Sequence, residues 1–293
     1  MDRRNFIKNS AFFAVAISTT GSIRFDNGKY IGDCETTSDI LGPFYRPGAP
    51  LRNNFLTGSE SDQIVTLSGT VRHKDCTTQV KGAVVELWHC NRDGVYDNHS
   101  DKFEYRGKVI TDDNGKYLFK TILPVPYSGD GGMRPAHFHL MISADTYPSL
   151  ITQVYFSGDK YIAGDRMAAS PSAEKRIVQV VNGTGGEKKV FFDISMRQSL
   201  AADPAAIDKL TGIYLSVTDN KTLEIFKDDN LLWLRTELYG LAFEYAGNNI
   251  FRYPGINDIT LKFELFKDGT ILLTKTSSHR GAEPQTSQWR KKN

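Results

Sequence analysis

From residue 64 onward the chain breaks into short runs rich in β-branched and aromatic residues, and almost nowhere do its apolar residues recur at helical spacing. Ile64 to Val71, Ala83 to Trp88, Lys108 to Thr111, Lys116 to Ile122, His137 to Ser143, Leu150 to Phe156, Arg176 to Val181 and Lys189 to Ile194 read as strands. Asp112 to Gly115 reads as a hairpin turn, and Asn182 to Gly186 as the turn between the last two strands. Many short strands separated by turn signals predict an all-β chain whose larger part is an antiparallel β-sandwich. Residues 22–60 carry Gly42, Pro43, Pro47, Gly48 and Pro50, the composition of an ordered wrapping loop or a flexible lead-in.

A second unit opens near residue 201, where Asp203 and Pro204 offer an N-cap and a first helical residue for one short helix. A meander follows: Ile213 to Val217, Leu223 to Phe226, Leu231 to Arg235, Ala242 to Tyr245, Ile250 to Tyr253, Ile259 to Phe266 and Ile271 to Lys275. Ile259, Leu261, Phe263 and Leu265 alternate with Thr260, Lys262 and Glu264, as in a sheet with one buried face. The expected division is therefore an N-terminal segment 1–22, a sandwich domain 23–200 and a smaller antiparallel half-barrel 201–293.

With 40% hydrophobic and 24% charged residues the chain is neither disordered nor membrane-spanning in composition. A net charge of +2 without a basic stripe argues against nucleic acid as a partner. Arg3, Arg4, Phe6, Ile7 and Lys8 precede a weakly apolar run, Ala11 to Ile17, too short to span a bilayer. That order resembles a bacterial twin-arginine export signal and predicts a periplasmic or secreted protein with no stable membrane insertion; an ordinary basic amphipathic N-terminus is the alternative. Of three cysteines, Cys76 and Cys90 flank one strand region and are the preferred disulfide pair, which leaves Cys34 over. Three unpaired thiols are the alternative.

The chemistry gathers around Arg134, Pro135, Ala136, His137, Phe138 and His139. Pro135 disfavours helix, and in a strand His137 and His139 share one face ~7 Å apart while Phe138 faces the other layer. Two imidazoles so placed can converge on a metal. Tyr96 and Tyr127 are further candidate ligands; zinc would usually add a carboxylate, cysteine or third histidine, a role that Asp97, Asp101 or Glu104 could fill. Spacing alone does not decide between these sets. His73, His89, His99 and His279 lack ligand spacing and read as surface or core residues, and Trp88 reads as core.

The order of motifs adds more. Gly82 to Trp88, Gly94 to Tyr96, Thr111 to Tyr117, Pro124 to Tyr127, Arg134 to His139, Leu150 to Gln153 and Tyr155 to Asp159, with Gly42 to Tyr45 before them and Phe192 to Ile194 after, resemble the intradiol ring-cleavage dioxygenases. The resemblance covers residues 35–197 and implies a prealbumin-like sandwich holding a non-haem Fe(3+) on Tyr96, Tyr127, His137 and His139. It implies a small aromatic diol and O2 as partners, with ring cleavage between the two hydroxyl-bearing carbons to a muconate-type diacid. Tyr127 matches the ligand displaced by substrate, Arg134 a cation that stabilises charge on the ring oxygens, and Gln153 an orienting donor. Val125 stands where the family has glycine, and Met133 where it often has tryptophan; both changes fall at the expected substrate mouth. No long N-terminal helical segment for dimerisation is present, so oligomerisation is left open. The C-terminal unit is similar to small β domains at the end of some secreted serine hydrolases, and offers no site of its own. A non-catalytic β-sandwich binding or adhesion module is the competing reading, which would have no need of the four ligands.

Overall fold

A computed structural model of the chain describes residues 34–58, 63–129, 132–145, 147–183, 186–197, 202–229, 231–277 and 283–292, with three short strand segments before residue 33. Arg3, Arg4 and most of the expected export signal lie outside the described residues, as does His279. Strands β1 (Ile17–Ser18), β2 (Gly21–Asp26) and β3 (Lys29–Gly32) form a small sheet of their own. The larger unit comprises β4 (Ile64–Arg72), β5 (Val84–Trp88), β6 (Arg106–Ile110), β7 (Lys116–Ile122), β8 (Tyr127–Gly129), β9 (Gly132–Arg134), β10 (His137–Ala144), β11 (Tyr147–Phe156), β12 (Ile177–Val178), β13 (Val180–Asn182), β14 (Lys188–Phe191) and β15 (Ile194–Ser195).

One sheet of this sandwich runs β12-β11-β10-β5-β6, and the other runs β13-β14-β4-β15 with β7 against β4. Central pairs are antiparallel; β12 on β11, and β14 and β15 on β4, are parallel. The two sheets meet through alternate residues, Phe138, Leu140 and Ile142 of β10 sharing one core with Val65, Leu67 and Phe119. His137, His139 and Met141 therefore take the outward face. The Asp112–Gly115 turn is as tight as expected, with Gly115 N–H donating to Asp112 O at 2.9 Å. It is not a hairpin, however: β6 pairs with β5 and β7 with β4, so the turn is a corner between sheets.

Residues 34–58 are an ordered wrap, because their backbone donates across the sandwich edges. Asp39 N–H reaches Ile151 O at 2.9 Å, and Phe55 N–H reaches Lys120 O at 2.9 Å. The cysteine pairing differs from expectation. Cys34 and Cys76 form the disulfide, with Cα atoms 6.0 Å apart, tying this wrap to the turn after β4. Cys90 is a buried free thiol just beyond β5, its Sγ directed at Val125 O, and has no route to the surface turn that holds Cys76.

Helix α1 (Pro204–Leu210) is capped by Asp203, whose carboxylate accepts from Ala205 N–H at 3.1 Å. After it, β16 (Gly212–Ser216), β17 (Thr222–Asp228), β18 (Leu231–Arg235), β19 (Gly240–Gly247), β20 (Ile250–Tyr253), β21 (Ile256–Leu265), β22 (Ile271–Ser277) and β23 (Gln285–Lys291) close into a barrel around Tyr214, Phe243, Phe251, Leu261 and Phe263. The expected half-barrel is thus complete: β23 pairs with both β22 and β16 and removes the open edges.

The barrel sits on the outward face of the β5-bearing sheet. Leu231, Trp233 and Ala242 pack into one cluster with Leu41, Tyr45, Trp88, Met141 and Ile151. Ser38 Oγ donates to Glu244 at 2.6 Å, and Ser143 Oγ donates to Asp229 at 2.5 Å, beside that apolar contact. Among the described residues no helix is long and apolar enough to cross a membrane.

Candidate metal centre

His137 and His139 open β10, and the pleat turns both rings outward so that their Nε2 atoms lie 3.1 Å apart. His137 Nδ1 lies 2.7 Å from Pro135 O; donation to that carbonyl assigns the proton to Nδ1 and leaves Nε2 its lone pair. Tyr96, in the loop after β5, brings its hydroxyl to 3.4 Å from His137 Nε2 and 3.2 Å from His139 Nε2. Tyr127 opens β8; its ring centre is 5.6 Å from that of Tyr96 and 5.6 Å from that of His137. The structure thus brings the four sequence-predicted ligands together at one point.

Local packing explains the convergence. Gly94 (φ +76°) turns the chain toward Tyr96, and a Cβ there would lie 2.8 Å from Tyr127 Cβ, so only glycine lets the two tyrosine segments touch. Trp88 stacks on His139 at 4.9 Å and 8°, and Phe44 on Tyr96 at 4.3 Å and 16°. Trp88 is core, as expected, and it is also the plate against which the His139 ring is set.

Burial, then the charge of Arg134, pushes His137 down to about 3, and burial, then His137, holds His139 well below its ordinary value. Both imidazoles are therefore neutral donors. Burial likewise raises the Tyr96 phenol well above its ordinary value and raises Tyr127, so these oxygens ionise only beside a cation. Three donors 3.1–3.4 Å apart match the edges left by metal bonds of ~2.1 Å. Two nitrogens plus two phenolic oxygens suit a hard trivalent ion, since two phenolates offset much of its charge. Among the described residues no group of three or more His, Cys, Asp and Glu side chains converges. The carboxylates considered for zinc are elsewhere: Asp97 caps its own loop, accepting from Ser100 and Glu104 N–H at 2.8 Å each, and Asp101 and Glu104 are exposed.

Arg134 lies opposite Tyr127 in the β8–β9 ribbon. Its guanidinium donates to Asp165 at 2.6 Å, to Gln153 Oε1 at 2.9 Å and to Tyr155 Oη at 3.3 Å. Burial alone would lower its pKa, but Tyr155, Asp165 and Tyr127 outweigh it and hold the charge. Gln153 also donates Nε2 to Ile40 O at 2.7 Å, so it braces Arg134 and the wrap. Behind it, Asp39 accepts from Tyr155 Oη at 2.9 Å and pairs with buried Arg176. Asp165, Asp39 and Arg176 carried no sequence signal; Tyr155 lay inside a matched motif. Beside Arg134 and Tyr127 opens a cavity of about 330 Å3, also bounded by Phe44, Met133, Met167 and Ile256.

The other described histidines make structural contacts: His89 is buried with Nε2 2.7 Å from Thr121 Oγ1, and His73 Nδ1 is 2.8 Å from Tyr147 Oη. His99 sits in the Asp97-capped loop.

A family model described as "Dioxygenase" matches residues 40–198, the stretch that carries Tyr96, Tyr127, His137, His139, Arg134 and Gln153. The chain belongs to the intradiol ring-cleavage dioxygenases. It is 35% identical over 190 residues to a chlorocatechol 1,2-dioxygenase of Rhodococcus opacus, covering 55% of this chain and 69% of that one. It is 36% identical over 155 residues to a catechol 1,2-dioxygenase of Candida albicans, covering 46% of this chain and 51% of that one. The chain thus spans about half to two thirds of the length of these curated relatives. A solved catechol 1,2-dioxygenase of Acinetobacter sp. ADP1, inhibited by bound mercury, superposes with a TM-score of 0.50 at 28% identity, covering 56% of this chain and 63% of that one. The barrel of this chain lies beyond the matched residues. Both departures noted in the sequence lie near the site: Val125 packs beside Tyr96, and Met133 lines the cavity.

Proposed function

We propose that this chain is a non-haem Fe(3+) intradiol dioxygenase that cleaves a catechol-type ring between its two hydroxyl-bearing carbons with O2, giving a muconate-type diacid. The observation that carries the reading is the convergence of Tyr96, His137 and His139 within 3.4 Å, with Tyr127 against them at the edge of a cavity. A binding or adhesion module has no need of that convergence. Tyr96, Tyr127, His137 and His139 would hold the ion. Ferric iron, when bound, supplies Lewis-acid charge that favours the catecholate dianion and draws electron density from the ring.

The residues divide the remaining work by position. Tyr127, half-buried and facing the cavity, is the phenol placed to exchange with an incoming catechol and to take up one of its protons at Oη. Tyr96, stacked under Phe44 and fully walled in, is placed to stay. Arg134 presents a fixed cation beside the bound oxygens and stabilises negative charge as it spreads through the ring, an effect worth about 100- to 1000-fold in rate. Gln153, Tyr155 and Asp165 keep that cation oriented, so Gln153 is a positioning residue. The stack of Trp88, His139, Tyr96 and Phe44 excludes water behind the ligands.

Ferric-loaded protein should absorb in the visible through phenolate-to-iron charge transfer, and the band should shift when catechol is added without oxygen. Protein that binds ferric iron without colour would overturn the proposal. Tyr96→Phe and His137→Ala should lose iron; Arg134→Ala should keep the colour and lose turnover. The export reading belongs to the same proposal: replacing Arg3 and Arg4 with lysine should retain the enzyme in the cytoplasm, as fractionation would report. So does the domain boundary near residue 200, where the catalytic unit would end.

A further inference from the structure

The cavity beside Tyr127 is closed on one side by a residue from outside the dioxygenase match. Ile256 opens β21 of the barrel, and its half-buried side chain shares this cavity wall with Ile40, Met133 and Met167. The turn that delivers it is clamped onto the sandwich. Gly255 (φ +73°) comes so close that a Cβ would meet Met167 Cε at 2.8 Å and Asp39 Cα at 3.0 Å. Tyr253, two residues earlier, is buried against the backbone of Gly42, next to Pro43 and Phe44 of the same cavity. The barrel hairpin is thus seated on the segment that braces Arg134 through Asp39 and on the segment that covers Tyr96.

We propose that the β20–β21 hairpin is the specificity wall of the substrate pocket, with Ile256 setting the size and polarity of the ring substituent this enzyme accepts. The proposal rests on the dioxygenase reading above. The cavity is divided in character: Arg134 and Asp165 neutralise each other on the side of Tyr127, whereas Ile40, Pro43, Met133, Met167 and Ile256 form an apolar side. Arg166, the other cation at the rim, is held toward Asp258, two residues past Ile256 and 3.9 Å away. A carboxylate on the ring would meet a rim where Arg166 already faces Asp258, whereas an alkyl or halogen substituent would fill the apolar side. At about 330 Å3 the space is at the small end for a ligand site, so loss or gain of a few methyl groups at Ile256 changes what fits.

The test uses full-length ferric enzyme, wild type and with Ile256→Val, Ile256→Ala or Ile256→Trp, and compares kcat/KM for catechol, 4-methylcatechol, 4-tert-butylcatechol and 3,4-dihydroxybenzoate. Ile256→Ala should raise the 4-tert-butylcatechol to catechol ratio by about 10-fold or more and Ile256→Trp lower it similarly, within the about 10- to 200-fold range of one pocket contact. Ile256→Val should move the ratio the same way as alanine by less, and remains informative if the larger changes disturb folding. Wild type should prefer 4-methylcatechol to 3,4-dihydroxybenzoate. Backbone amide exchange across residues 253–258 should slow when 4-tert-butylcatechol is added anaerobically. Ratios that move less than about twofold in all three variants, on a wild type that does cleave catechol, would overturn the hairpin's role alone. A preference for the carboxylated ring would overturn the polarity argument. A wild type that turns over none of the four would overturn the dioxygenase reading, and this proposal with it.

Discussion

Glu86 gives a test of the barrel interface that does not depend on the metal. It lies on β5 opposite Met141 of β10, on the face that the barrel covers, and is only 6% exposed. Its Oε1 has no hydrogen-bond partner, and burial, against the pull of Arg106 and Lys108, raises its pKa from 4.5 to about 7. Asp229 and Asp228 of the barrel add to the rise. Because the folded value lies above the unfolded one, the native chain holds a proton between pH ~4.5 and ~7 that the unfolded chain has released. Stability from this group is fully present below about pH 4.5 and is lost as pH rises through about 7. The ionised fold is then about 3 kcal/mol less stable than the protonated one, each pH unit being worth about 1.4 kcal/mol. Glu86→Gln keeps the shape and removes the ionisation. Urea unfolding at pH 5 and pH 8.5 should show the wild type losing up to about 3 kcal/mol more than the variant over that interval. Equal pH dependence in both proteins would show that Glu86 is paired or hydrated when ionised, and would refute the reasoning.

Other outcomes follow from the same contacts. Gly94→Ala forces a Cβ to 2.8 Å from Tyr127 Cβ at a positive φ, and should cost about 2–4 kcal/mol and lower iron stoichiometry after ferric loading; full iron content would refute it. Trp233→Ala removes the barrel's largest side chain from the cluster with Tyr45, Trp88 and Met141, and should destabilise by about 3–5 kcal/mol in denaturant unfolding. Cys34→Ser should lower stability by up to about 4 kcal/mol under non-reducing conditions, the chain-entropy value for a closed loop of this length, whereas Cys90→Ser should leave the disulfide count unchanged on thiol titration.

The parts of this fold that were legible are those where period and chemistry coincide. In β10 the alternation of His137 and His139 with Phe138, Leu140 and Ile142 separates the imidazole face from the core face, and a period of two can be read directly. Tyr96 and Tyr127 are different, since 31 positions of chain separate them and no periodicity brings them to the same point. They could be linked to the histidines only through the order of motifs. The Asp112–Gly115 turn was visible, but turn residues specify local backbone and say nothing about which sheet each flanking strand joins. The cysteine pairing failed for a similar reason: Cys76 and Cys90 both border one strand, and only the tertiary wrap shows that Cys34 returns to Cys76 while Cys90 faces inward.

The eighth barrel strand shows what sequence patterning cannot carry. Gln285–Lys291 holds one apolar residue, Trp289, and its burial pattern is mostly exposed, so nothing in its own composition asks to be a strand. It becomes one because β16 and β22 each present an unpaired edge, and their backbone groups need partners. The same logic places Ile256. A lone isoleucine after Pro254 and Gly255 has no motif around it, and the chemistry of a remote site acquires it only when the closed barrel docks on Tyr45, Trp88 and Met141 and swings that turn over Met167. Ligands to a metal are conspicuous in a sequence because their side chains are chemically rare. The residues that shape the space around such a centre are ordinary aliphatics, chosen by position, so they are found only after the path of the chain is known.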